Sequence, residues 1–130
     1  MSILIEVSYG ELIDKITILE IKVERIDDPD KVRNVSNELV ILKDALATYV
    51  PPDPKVDELA DQLRSINGHL WDVEDRLRKK EHEKKFDDEF IELARSVYFT
   101  NDHRAKIKRE LNELLRSSVV EEKSYQPYTP

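Results

Sequence analysis

The sequence predicts an all-α fold, either an antiparallel helical bundle or a pair of long helical hairpins, built from four main helices. Three observations carry that prediction. Apolar residues recur at alternating steps of three and four along four separate stretches, the pattern of a helix with one buried face. Each stretch opens on a Ser or Asp placed as an N-cap. The composition is that of long amphipathic helices, with 38% charged residues and only 2 Gly in 130 residues.

The first helix starts at a capping box, Ser8 with Glu11, and Val7 is placed to staple onto Leu12. It should run to about residue 27 along a seam of Leu12, Ile16, Leu19, Val23 and Ile26. Ile18 and Ile21 fall on the opposite side, so this helix is either central in the fold or covered at its back by a partner subunit. Upstream, the apolar stretch from Ile3 to Val7 suits one short strand.

Asp28 and Pro29 form the cap and first-turn pair of the second helix, because proline gives up only an N–H that would be unpaired there. Its stripe is Val32, Val35, Leu39, Leu42, Leu46 and Tyr49, and Pro51 and Pro52 stop it. Asp53 and Pro54 open the third helix, which keeps unbroken heptad spacing, as in a coiled coil, through Val56, Leu59, Leu63, Ile66, Leu70, Val73 and Leu77 to about Lys84. Gly68 interrupts it and marks a place for close approach of another backbone.

Asp87 or Asp88 caps the fourth helix, whose seam is Phe90, Leu93, Val97, Thr100, Arg104, Ile107, Leu111 and Leu114. Asn101 and Asp102 make a break near Thr100 an expectation, since such side chains compete for backbone hydrogen bonds. Periodicity ends at Ser117. The reading is therefore one helical domain over residues 1–116 and an extended tail over 117–130, docking only where a groove receives it. The third and fourth helices outrun the first two, and dimerisation is the simplest cover for their ends.

A net charge of −7 argues against general nucleic-acid binding, which rests on neutralising phosphates. The basic runs Arg76 to Lys85 and Arg104 to Arg109 are diluted or flanked by acids and read as solvated faces. The chain has no Cys, which removes disulfides and thiolate sites and fits a reducing compartment. No apolar run approaches membrane-spanning length, and the opening lacks the basic leader of a signal peptide, so a cytoplasmic protein is expected.

Candidate functional residues are those that break the apolar pattern. Glu20 projects between Tyr9 and Ile13 on the inward arc of the first helix, and Asn67 and Glu74 do the same on the third. Arg104 occupies the seam of the fourth, flanked by Asn101 and Lys108, with Trp71 at the edge of the third. Tyr9, Trp71 and Tyr98 are aromatic surfaces on which a base or sugar can stack, and Arg suits carboxylate or phosphate recognition. The ligand-binding set is thus Tyr9, Glu20, Trp71, Glu74, Tyr98, Asn101, Arg104 and Lys108. The bland alternative is that Arg104 pairs with Glu20 or Glu74 to fix helix register.

Sharper motifs fail. A di-iron bundle needs Glu three residues before His, but His69, His82 and His103 follow Ile66, Lys79 and Thr100 at that spacing. Glu11 with Asp14, Asp72 with Asp75, and Glu110 with Glu113 resemble the magnesium-binding acids of helical nucleotide pyrophosphatases, yet most project outward and read as solvated. Neither a glycine-rich phosphate loop nor a nucleophile elbow is present. The Arg76 to His82 spacing of toxin-system ribonucleases is undercut by Leu77, a seam residue, and the arginines of a helical chorismate mutase are missing from the first helix. No metal or cofactor is implied.

The segments VSYGELIDKITILEIK (from Val7), LWDVED (from Leu70), ELARSVYFTND (from Glu92) and VEEKSY (from Val120) resemble a family of short helical proteins of unknown function from bacteria and their phages. The resemblance implies a setting beside surface-polysaccharide or glycosyltransferase genes, and hence an accessory role or a sugar-nucleotide ligand. The expectation is a dimeric, non-catalytic binding or accessory protein with an inter-helix pocket for a small anionic or sugar-like ligand. The alternatives are an enzyme acting on a phosphate or sugar-nucleotide substrate, with Glu74 or Glu20 as base and Arg104 as anion clamp, and a purely structural oligomeric module.

Overall fold

The computed structural model describes residues 1–129 and contains four helices: α1 (Tyr9–Arg25), α2 (Pro29–Tyr49), α3 (Pro54–Glu83) and α4 (Asp88–Leu114). Pro130, the last residue of the expected tail, lies outside the described residues. The caps form as their chemistry dictates. The Ser8 hydroxyl accepts from Glu11 N–H at 3.0 Å, Asp28 from Asp30 N–H at 2.9 Å, Asp53 from Lys55 N–H at 2.8 Å and Asp87 from Phe90 N–H at 3.0 Å. The capping box of α1 is only half made, because the Glu11 carboxylate turns to Lys108 instead of its own helix end.

The four helices pack as a bundle centred on α1, which packs against all three others, while α2 packs chiefly along α1. Of the two explanations for an α1 apolar on both sides, centrality is the one realised. Ile13, Ile16, Leu19 and Ile21 are all buried, and Ile18 is half-buried. The main core joins Ile13 to Leu59, Leu63 and Ile66 of α3 and to Ile107 and Leu111 of α4. Val50, just past the end of α2, closes the same core.

Three local expectations fail for physical reasons. Among the described residues there is no strand, and Ile3 to Val7 forms no regular element and is exposed, since no neighbouring strand completes its hydrogen bonds. The fourth helix runs through Thr100 to Asp102 without a break, because Asn101 directs its side-chain oxygen to Arg104, not to its own backbone. Gly68 is not a point of backbone approach, as a Cβ there would meet only the Arg25 guanidinium at 3.5 Å. The close approach is at Gly10 instead, where a Cβ would run into the Lys108 carbonyl and sit 2.9 Å from Asn112 Oδ1.

The tail docks along α4 and back to the start of α1. Glu121 accepts from the Ser8 hydroxyl, Glu122 meets Arg109 at 3.0 Å, and the Tyr128 hydroxyl donates to Asp102. The Tyr128 ring lies 5.3 Å from both Tyr98 and Phe99. Its phenol is pushed up to about 12, chiefly because the hydroxyl is hydrogen-bonded to the Asp102 carboxylate, whose charge opposes a phenolate.

Candidate functional site

The face of α1 carrying Gly10, Asp14, Thr17 and Ile21 is turned into the bundle, and Gly10 lets α4 come close enough to reach it. Asp14 is only 1% exposed there. A carboxylate removed from water needs a counter-charge and several donors, and α3 and α4 supply them. Arg104 donates from Nε to Asp14 Oδ1 at 3.0 Å and from Nη2 to Oδ2 at 2.5 Å. Asn67 Nδ2 donates to Asp14 Oδ1 at 2.8 Å and to Thr17 Oγ1 at 3.0 Å, and the Thr17 hydroxyl donates on to the Asp14 carbonyl at 2.7 Å.

Lys108 completes the cluster, with Nζ 2.6 Å from Glu11 Oε2 and 3.9 Å from Asp14 Oδ2. Two acids face two bases, so the cluster is formally neutral. The hydrogen bond to the Asp14 carboxylate holds the Arg104 guanidinium above its usual range, against the opposing effect of burial. Among the described residues no buried side-chain nitrogen or oxygen lacks a hydrogen-bond partner. A satisfied network of this kind fixes three helices in one register.

Beside this cluster, a pocket of about 420 Å³ opens between α1, α3 and α4. Ile18, Ile21 and Leu70 give it apolar surface, and Trp71 adds an aromatic ring with the Arg25 guanidinium 5.9 Å from its centroid. Asn67, Asn101 and Arg104 contribute amide and guanidinium edges. Glu74 and Asp75 bring two carboxylates, and among the described residues Glu74 pairs only with Arg78, at 3.9 Å, with its side chain about half exposed.

Of the eight residues singled out in the sequence, Trp71, Glu74, Asn101 and Arg104 line this one pocket. The other four lie elsewhere. Glu20 sits where α1, α2 and α3 meet, 3.7 Å from Lys43 and 3.5 Å from Arg64. Tyr9 packs against the main core, Tyr98 stacks edge-on with Phe99 and the tail, and Lys108 is held by Glu11. The expected pairing of Arg104 with Glu20 or Glu74 is therefore corrected: its partner is Asp14.

Nor is Asp14 half of a solvated acidic pair with Glu11, as its spacing suggests, because the other helices bury it. The signal lay in its neighbours. Gly10 four residues before, Thr17 three after and Ile21 seven after place small, polar and apolar side chains on one helical face, which a solvated stripe of charges does not need. Asn67, named as inward-facing, is the residue on α3 that answers it.

Among the described residues no three His, Asp or Glu side chains gather as a metal site, and no helix is long and apolar enough to cross a membrane. No curated protein and no solved structure matches the chain. Residues 3–130 match a family described as "Family of unknown function (DUF6165)", and the chain belongs to that family.

Proposed function

We propose that the protein is a non-catalytic binding protein whose ligand is a small, uncharged, polyhydroxylated molecule of the sugar class, held in the pocket between α1, α3 and α4. The observation that carries this reading is the convergence of Trp71, Glu74, Asn101 and Arg104 on one cavity. An aromatic ring offers a flat apolar face to the C–H side of a sugar, while carboxylates and amides pair with its hydroxyls. The electrostatics favour a neutral ligand over the anionic one entertained from sequence. Arg104 has given two of its nitrogens to Asp14, and Glu74 and Asp75 repel an anion at the rim.

The same contacts weigh against the enzyme alternative. Its proposed bases and anion clamp are Glu20, bound to Lys43 and Arg64, and Glu74, with an Arg104 already neutralised. The test is saturation-transfer NMR with a panel of neutral saccharides against wild type, Glu74→Gln and Asn101→Ala. Wild type should receive saturation transfer to at least one saccharide and both variants should lose it, with unchanged thermal stability in Glu74→Gln. No saccharide signal in the wild type would contradict the reading.

Dimerisation belongs to the same proposal. The second helix buries none of its residues and carries Val40 and Ile41 at 59% and 66% exposure, an apolar surface that a second copy of the same helix would cover about a two-fold axis. We place the protein in the cytoplasm, a reducing compartment to which its cysteine-free chain is suited.

A further inference from the structure

Trp71 is half-buried at the edge of the pocket between α1, α3 and α4, and it is the one aromatic ring among the lining residues. A tryptophan side chain turns about two torsions, and a sugar stacks only on a ring already presented to it. Fixing the ring before the ligand arrives removes the cost of ordering it from the binding step.

The last turn of α1 supplies the means. Arg25 lies outside the sugar pocket, in an adjoining open groove between α1 and α3, and Ile21 lines both. From there its guanidinium crosses to α3, where Nη1 donates to Asp72 Oδ1 at 2.5 Å and Cζ stands over the Trp71 ring, 5.9 Å from its centre. Gly68, one turn before Asp72, puts no side chain in that path: the Arg25 Nη2 lies 3.5 Å from where a Cβ would stand.

The Asp72 side chain is 63% exposed, and an ion pair that wet adds little to stability. Its consequence is geometric. It keeps a long, flexible side chain beside the neighbouring residue's ring, and a planar guanidinium over an aromatic face attracts that ring. Arg64 provides the contrast. It lines the same groove and also ties α3 to α1, with Nη2 2.6 Å from Glu24 Oε1, but among the described residues it makes no contact with an aromatic ring.

We propose that Arg25 is a positioning residue of the sugar pocket: anchored by Asp72, it holds the Trp71 ring in the orientation that receives the ligand. The inference rests on the sugar-class reading of that pocket, and adds that its affinity depends on a residue that does not line it.

The test follows Trp71, the only tryptophan, in the full chain. Without ligand, time-resolved fluorescence anisotropy should show faster local motion of the ring in Arg25→Gln than in wild type. Arg64→Gln should match wild type, and Arg25→Lys, which keeps a cation near the ring, should fall in between. A panel of neutral methyl glycosides is then titrated by saturation-transfer NMR. Arg25→Gln should bind the preferred glycoside at least about threefold more weakly than wild type, as expected for the loss of one cation–aromatic contact, and Arg64→Gln within about 1.5-fold. Equal weakening in Arg25→Gln and Arg64→Gln would reduce Arg25 to a tie between helices and overturn the proposal. Unchanged ring motion in Arg25→Gln would overturn it too. Glycoside binding that Arg25→Gln leaves intact would sink this inference alone, whereas no binding by wild type would sink the sugar reading with it.

Discussion

At the scale of single residues, Asp14 sets the terms. Replacing Arg104 with Met removes its bidentate partner and leaves a carboxylate that is 1% exposed with only Asn67 nearby and Lys108 at 3.9 Å. The fold should lose about 3 kcal/mol or more in a urea titration, the usual cost of stranding a buried charge. Gly10→Ala should cost about 2 kcal/mol in the same assay despite a better helix propensity, because the added methyl meets the Lys108 backbone, which cannot step aside. Arg104 was legible as a charge out of place, but its partner was not, since spacing along α1 cannot say which of its acidic faces the other helices will cover.

Asp87 provides a test by pH. Its carboxylate is held below its ordinary range, first by the Phe90 N–H that it caps and then by Lys80, 3.0 Å away. A lowered folded-state value means the stabilisation is present above the ordinary carboxylate range and is lost as pH falls through the lowered value. The Phe90 amide should therefore titrate in NMR spectra with a midpoint below that of a free aspartate. Asp87→Asn, which keeps a capping oxygen, should abolish the titration and leave α4 in place.

At the scale of elements, caps and apolar seams were readable because both are local: the prolines and aspartates at 28–29 and 53–54 open α2 and α3 where they should. The heptads of α3 predicted its buried face, with Val56, Leu59, Leu63, Ile66 and Val73 all inside. What local pattern could not give is which helix lies next to which. The two-sided apolar character of α1 allowed a central position or a covering partner, and only packing decides. The unburied α2 carries the oligomeric prediction: light scattering should find a dimer at about micromolar concentration, and Val40→Lys/Ile41→Lys should convert it to a monomer with unchanged circular dichroism. A monomeric wild type would remove the dimer from the account.

At the scale of the whole molecule, α3 and α4, with 30 and 27 residues, extend past α1 with 17. Their far end is held by the edge-on Phe86 and Phe90 rings and by Lys80 with Asp87 and Glu89. At the opposite end the tail joins α4 to the start of α1 through Glu121, a link 113 residues apart in sequence that no periodicity reveals. The pocket was partly legible for the same reason: Asn67, Trp71, Glu74, Asn101 and Arg104 stand out in the sequence, whereas Leu70 and Asp75 fit their helix's pattern and become pocket walls only through packing.

Trp71 is the only tryptophan in the chain and lines that pocket, so its fluorescence is a direct reporter on the central claim. Titrating the neutral saccharide that gives the strongest saturation transfer should change Trp71 emission along a saturable curve, and Glu74→Gln should flatten that curve without altering the starting spectrum. Saturable binding with no change in Trp71 emission, or an equal response in Glu74→Gln, would contradict a sugar-class ligand in the pocket between α1, α3 and α4.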